Sequence, residues 1–180
     1  MTLSLSTIIC TKDRPDDLGQ CLNSILTGSR LPNEIIIIDD GNLDIDDFQK
    51  TISNYDIKFY YRRKSPPNVN VSRNLGVSIA SGDILSFLDD DVILDQNYYD
   101  CVMKAFEQDS SQTIVGITGA IKVHTHPIKR MYLRFFGLES RQPGKVQACG
   151  AVTLVRAGEI DRPVRVEWLS GCNMNFRRWV

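Results

Sequence analysis

The chain lacks any long apolar run: its longest purely aliphatic stretch is Ile35 to Ile38, far short of the roughly 18 or more residues a membrane-spanning helix needs. Met1 to Cys10 also lacks the basic start of a secretory leader. Both absences point to a cytoplasmic, unanchored chain, with membrane association reserved for the full-length protein. No sign of charge dominates. Lys plus Arg total 21 against 22 for Asp plus Glu, so net charge gives no reason to expect nucleic acid, and an anionic partner has to be gripped locally. The five cysteines (Cys10, Cys21, Cys101, Cys149, Cys172) are odd in number and include no C-x-x-C pair. That argues against a disulfide framework and a zinc knuckle and predicts mostly buried, reduced thiols.

What is present is a 180-residue chain, 42% hydrophobic, enough apolar mass for one sizeable core. Its first half alternates β-like and helix-like runs, the rhythm of parallel strands joined by crossover helices. Ser4 to Cys10 reads as a strand. Leu18, Cys21, Leu22, Ile25 and Leu26 then form a helical stripe opened at Pro15 and stopped at Gly28. Glu34 to Ile38 is a strand buried on both faces. A weaker helix around Phe48 to Ser53 and a strand at Ile57 to Tyr61 repeat the cycle. Asn70 is placed to cap a helix carrying Val71, Leu75 and Ile79, followed by a strand at Ile84 to Leu88. Asp95 is placed to cap a helix with Tyr98, Val102, Met103 and Phe106 inward, and Ile114 to Val123 reads as the next strand. Beyond His124 the pattern loosens: Lys129 to Phe136 is ambiguous, Gln147 to Val155 and Val164 to Trp168 look like strands, and Met174 to Arg178 follows a Ser170-Gly171 turn.

In a parallel sheet the loops after strands one, two and four leave from one edge, where open α/β sheets bind ligands. Those loops hold Thr11 to Arg14, Asp39 to Asn42 and Asp89 to Asp91. Clustered carboxylates repel one another, so a hard divalent cation, Mn2+ or Mg2+, is the natural compensating partner. Such an ion attracts a diphosphate, and Arg14 and Arg73 add charge-assisted hydrogen bonds to the same oxygens. Asp39 and Asp40 are alternatives for a ligand contact, one of them closing an Asx-type turn with Gly41. Asp44, Asp46 and Asp47 read as solvated surface, as do His124 and His126. The basic group Lys129, Arg130 and Arg134 is either a solvated face or a meeting point with a membrane surface or charged acceptor.

The ordered segments TIICTKDRP, EIIIIDDGN, NVSRNLGVSIASGDILSFLDDDV and WLSGCNMNFRR resemble the inverting GT-A glycosyltransferases of family 2 over nearly the whole chain. The resemblance implies a GT-A type α/β fold, mainly parallel with helices on both faces and mixed toward the C-terminus. It implies one domain over 1–180, with a nucleotide-binding half at 1–123 and the start of an acceptor-binding half at 124–180. It places Thr11 and Arg14 beside base and ribose, Asp40 at the uracil edge, Arg73 near the nucleotide, and Gly76 where a helix packs closely. In the D-x-D element Asp90 reaches the ribose and Asp91, with Asp89, belongs to the metal. Trp168, Gly171, Asn173 and Met174 match the floor of the acceptor site. The implied partners are a nucleotide-sugar donor, UDP by preference, and a hydroxyl acceptor, saccharide or lipid-linked.

The family's catalytic carboxylate lies downstream of the N-M-x-F-R-R segment, beyond Val180, so the expectation is a donor-binding part of a longer transferase, with Glu167 as the acid to consider within the chain. Three other classes compete. A domain that holds a sugar nucleotide without turning it over is one. A magnesium-dependent receiver domain is another, but it wants an acidic pair where this chain has Thr11-Lys12-Asp13-Arg14. A sugar nucleotidyltransferase wants a glycine-rich basic loop after strand one, which is missing.

Overall fold

A computed structural model describes residues 3–123 and 126–179. The chain divides into two compact units, Met1–Ile117 with Gly171–Val180, and Thr118–Ser170.

The first unit is built in the order β1 (Leu5–Thr11), α1 (Pro15–Leu26), β2 (Glu34–Asp39), α2 (Asp46–Ile52), β3 (Lys58–Arg63), α3 (Val69–Ile79), β4 (Ile84–Asp89), α4 (Tyr98–Gln108), β5 (Gly116–Thr118) and finally β6 (Asn173–Arg177). Its sheet runs β3-β2-β1-β4-β6-β5. The first four strands are parallel, and β6 returns antiparallel to β4. Strand pleating sends alternate residues to opposite faces, which explains the isoleucine run. Ile35 and Ile37 face a core filled by Leu18, Leu22 and Ile25 of α1 and by Val102, Met103 and Phe106 of α4. Ile36 and Ile38 join Ile8 and Leu85 in a second core, with Leu75 and Ile79 of α3 against it. Helix α3 lies close to β1 because Gly76 permits it: a Cβ there would sit 2.4 Å from Ile8 Cγ2.

Register sets the functional edge. Thr11 pairs with Asp39 across β1 and β2, and Cys10 with Asp89 across β1 and β4. The three acidic loops therefore leave the sheet at one level, as the alternation rule requires.

Several local expectations are corrected. Asn68, rather than Asn70, caps α3, its side chain accepting from the N–H groups of Asn70 and Val71 at 3.1 Å each. Consequently Val71 is exposed, and Ser72 and Gly76 form the fully buried positions of that helix. Asp95 lies too early to cap α4, where Asn97 occupies the cap position, and Asp95 accepts from the Asn97 N–H at 2.9 Å. Tyr98 is half-buried while Tyr99 takes the core position. The strand expected over 114–123 shrinks to Gly116–Thr118: at its start the Asp109 carboxylate captures the Ile114 N–H at 2.7 Å, and toward its end Ile121 pairs only in an isolated bridge with Arg156. Of the cysteines only Cys21 is buried; Cys10 and Cys172 are half-buried, and Cys101 and Cys149 are exposed.

Among its described residues the second unit carries one helix, α5 (Pro127–Phe135), which resolves the ambiguous stretch. The strands expected at 147–155 and 164–168 are absent among the described residues, where only the isolated bridges Val146–Val152 and Ile121–Arg156 occur outside the sheet. Within 147–155, Gly150 has φ of 83°, a left-handed geometry that breaks strand continuity, and its N–H turns back to the Gln147 carbonyl at 2.8 Å. Glu139, buried, accepts from Arg130 at 2.9 Å and Arg156 at 3.0 Å. No helix among the described residues is long and apolar enough to cross a membrane.

Candidate nucleotide-binding edge

The carboxyl ends of β1, β2 and β4 assemble the acids, but the side chains divide into two groups. After β2, Asp39 is wholly buried and accepts from Gly41 N–H at 2.7 Å, Leu43 N–H at 2.9 Å and the Tyr61 hydroxyl at 2.8 Å. It is therefore Asp39 that closes the Asx-type turn. Gly41 is required there, since a Cβ would fall 2.9 Å from the backbone nitrogen of Asp13. Asp13 itself sits at φ 54°, a left-handed position that Asp tolerates better than most residues.

Asp40 points to α3 and β3. It pairs with Lys64 at 2.7 Å and accepts from the Ser72 hydroxyl at 2.8 Å and the Asn68 N–H at 3.1 Å. Burial pushes its pKa up, yet the hydrogen bonds from Lys64, Ser72 and Asn68 outweigh it and hold the carboxyl below its ordinary range.

After β4 the three aspartates fan apart. Asp89 meets Arg73 at 3.0 Å, and the same guanidinium group reaches the Gly171 carbonyl at 3.0 Å. Burial is the largest influence on Asp89 and raises its pKa, with Arg73 opposing and Asp91 and Asp90 adding to the rise. Asp90 turns back into the protein, accepting from the Thr11 hydroxyl at 2.7 Å and from Arg14 at 3.1 Å. Asp91 faces outward with 58% of its side chain exposed and Arg14 at 3.7 Å. Arg14 is itself 54% exposed, so its guanidinium group bridges the inner and outer acids while keeping donors free. Behind this edge, burial pushes the thiols of Cys10 and Cys21 up to about 12, which makes them poor nucleophiles.

Thr11, Arg14, Asp90 and Asp91 thus form one set of contacts, and Arg73, Asp89 and Gly171 a second, the two meeting only along the chain between Asp89 and Asp90. Asn173 begins β6 beside Leu88 and is buried. Trp168 belongs to the second unit, where its indole N–H donates to the Thr153 carbonyl at 3.2 Å. Glu167 is also there, ion-paired with Lys145 and accepting from the Val146 N–H at 3.0 Å. The Lys145 hydrogen bond is the main cause of its lowered pKa. Exposed His126 caps α5 through Nδ1, and His124 lies outside the described residues. Lys64, Ser72 and Asp13 escaped the sequence reading, although Lys64 directly follows β3 at the same edge. A separate cleft of about 510 Å³ beside Ser24, Thr27, Ile93 and Gln96 has no charged side chain in its wall and offers nothing to a diphosphate.

Known proteins resemble this chain in sequence and in fold. Among curated relatives, the glycosyltransferase GlyA of Streptococcus pneumoniae serotype 4 is 28% identical over 100 residues, 55% of this chain and 14% of GlyA. Among solved structures, the mannosyltransferase PcManGT of Pyrobaculum calidifontis, in complex with GDP-Man and Mn2+, superposes with a TM-score of 0.63 at 13% identity, covering 99% of this chain and 46% of that one. S. aureus TarS 1-349 in complex with UDP-GlcNAc gives a TM-score of 0.55 at 16% identity over 69% of this chain and 36% of TarS. The chain therefore spans less than half the length of each of these proteins. The structural likeness establishes the GT-A type α/β fold. The family model of Glycosyl transferase family 2 matches residues 6–158, and it is to this family that the chain belongs.

Proposed function

We propose that this chain is the donor-binding part of a glycosyltransferase that takes a nucleotide-diphosphate sugar, UDP-linked by preference, and passes the sugar to a hydroxyl acceptor by inverting displacement. The observation that carries the reading is the split within the triple aspartate: Asp90 is clamped by Thr11 and Arg14, while its neighbour Asp91 is left outward. Three adjacent like charges are costly without a partner, and only Asp91 lacks a close one.

In this reading the nucleoside lies along Thr11, Arg14, Asp40 and Asp90. Asp40, held ionised, can only accept, which suits an N–H on the base edge. Arg73 orients Asp89 and is close enough to the edge to meet phosphate oxygens. Gly171, Asn173 and Trp168 are proposed for the acceptor side.

The donor set fits Mn2+ or Mg2+. Among the described residues no group of three or more His, Cys, Asp or Glu is placed to enclose a metal; within the triple aspartate Asp91 is the most exposed carboxylate, with Asp89 two residues before it and partly exposed. That is the pattern of a hard cation held by one or two carboxylates together with substrate phosphates and water. When bound, the ion neutralises charge on the departing diphosphate. Arg14, donating to Asp90 and lying near Asp91, keeps both acids oriented.

A second reading, binding without turnover, is favoured by Glu167, whose carboxylate is committed to Lys145 and the Val146 N–H and is not poised as a base. Titrating UDP into the 180-residue chain with and without Mn2+, then assaying sugar release from UDP-sugars, separates the two. Metal-assisted binding with turnover supports the transferase, binding alone supports the second reading, and no metal-assisted binding defeats both.

A further inference from the structure

The helix α5 is amphipathic in the wrong direction for a globular protein. At about 100° per residue, Ile128, Met131, Tyr132 and Phe135 share one stripe, and their exposures are 65%, 69%, 61% and 83%. The opposite side holds Arg130 and Leu133. Arg130 is the residue that turns inward, binding buried Glu139 and Glu159, and Leu133 is half-buried. A soluble surface helix normally reverses this arrangement. Phe136 extends the apolar stripe, its ring 4.5 Å from Tyr132 and 5.2 Å from Phe135.

Charge surrounds the stripe. Lys129 and Arg134 flank it on its two sides, both exposed. From Thr118 to Arg141 the sequence has Lys122, Lys129, Arg130, Arg134 and Arg141 against Glu139 alone, in a chain balanced as a whole between acids and bases. That one acid is buried beneath the helix. A rim of cations around an aromatic and aliphatic stripe matches an anionic bilayer surface: the rings enter the boundary between headgroups and acyl chains, and the Lys and Arg stems reach back to phosphates. A protein partner with an acidic rim is less favoured, because the stripe carries no acidic residue and Tyr132 is its one hydrogen-bonding side chain, too little to set a register.

We propose that α5 is a membrane-interface helix, laying Ile128, Met131, Tyr132 and Phe135 into the surface of an anionic lipid bilayer with Lys129 and Arg134 on its headgroups. This assignment is independent of the nucleotide reading, since none of these residues belongs to the acidic edge.

The test is co-sedimentation of the 180-residue chain with vesicles of phosphatidylcholine alone and of phosphatidylcholine containing phosphatidylglycerol. The chain is expected to partition onto the anionic vesicles and to be released by added salt. The double variant Lys129→Gln/Arg134→Gln should lower that partitioning about thirty-fold, two charges at about five-fold each. Phe135→Ser should lower it at least about tenfold. Both variants should keep the parent's melting temperature and UDP binding. Four results overturn the proposal: no vesicle binding; equal binding to neutral and anionic vesicles; a large drop in melting temperature for Phe135→Ser, which would place the stripe inside the folded protein; or light scattering showing a dimer that Phe135→Ser dissociates.

Discussion

The two acidic loops at the sheet edge begin from the same ingredients and end differently. After β2, Asp39 and Asp40 spend their oxygens within the protein: Asp39 on two backbone N–H groups and Tyr61, Asp40 on Lys64, Ser72 and Asn68. After β4, Asp89 and Asp90 are held by arginines, and Asp91 is left with one cation at 3.7 Å. Asp39, saturated by its own chain, shapes the loop, whereas Asp40 can meet a base edge only alongside its bonds to Lys64, Ser72 and Asn68. An acid that is oriented by its neighbours and left unsaturated is available to a ligand.

That contrast yields an ordered series of substitutions. Asp39→Ala strands the Gly41 and Leu43 N–H groups and the Tyr61 hydroxyl, and should cost about 3 kcal/mol, with each buried orphan contributing about 1–3 kcal/mol. Calorimetric melting should show a fall of about 6–12 °C for a chain of this size. Lys64→Met leaves Asp40 nearly buried without its cation and should cost about 2 kcal/mol. Its pH dependence carries the sign. In the parent, Asp40 titrates below the ordinary 3.8, so its contribution is complete above that value and is lost as the pH falls through the folded pKa. In Lys64→Met the upward push of burial loses its strongest opponent, the penalty grows as the pH rises, and the variant should be less destabilised in acid than at neutrality. Melting curves at two pH values check this. Asp90→Asn keeps the Thr11 bond and weakens the one to Arg14, for about 1 kcal/mol. Asp91→Asn should change stability by no more than about 0.5 kcal/mol. Should Asp91→Asn destabilise as much as Asp39→Ala, the two loops do not differ in kind.

The first unit was legible because its signals are local. The α1 stripe and the β2 isoleucines appear in the structure within a residue or two of where periodicity puts them, and parallel pairing brings the Thr11, Asp39 and Asp89 ends level without further information. What sequence could not separate was decided by tertiary contacts. Asn68 and Asn70 have the same capping chemistry, and the Asp40 bond to the Asn68 N–H accompanies the choice of the former. Asp39 and Asp40 differ only once the turn closes around Gly41. Arg130 and Arg134 read alike, yet Arg130 is half-buried and bonded to Glu139 at 2.9 Å, while Arg134 is exposed and reaches the same carboxylate only at 3.9 Å. The second unit misled because β-branched runs such as Gln147 to Val155 signal strands only where a partner edge exists and backbone geometry allows it. Gly150, at positive φ, breaks that continuity.

The claim on which the rest depends is that Asp91 faces outward to grip a cation shared with a diphosphate. Isothermal titration of UDP into the parent and Asp91→Ala, each with and without Mn2+, addresses it directly. The account predicts that Mn2+ tightens UDP binding about tenfold or more in the parent, about 1.4 kcal/mol, and that this gain vanishes in Asp91→Ala while the melting temperature stays unchanged. Retention of the full Mn2+ effect by Asp91→Ala would contradict it.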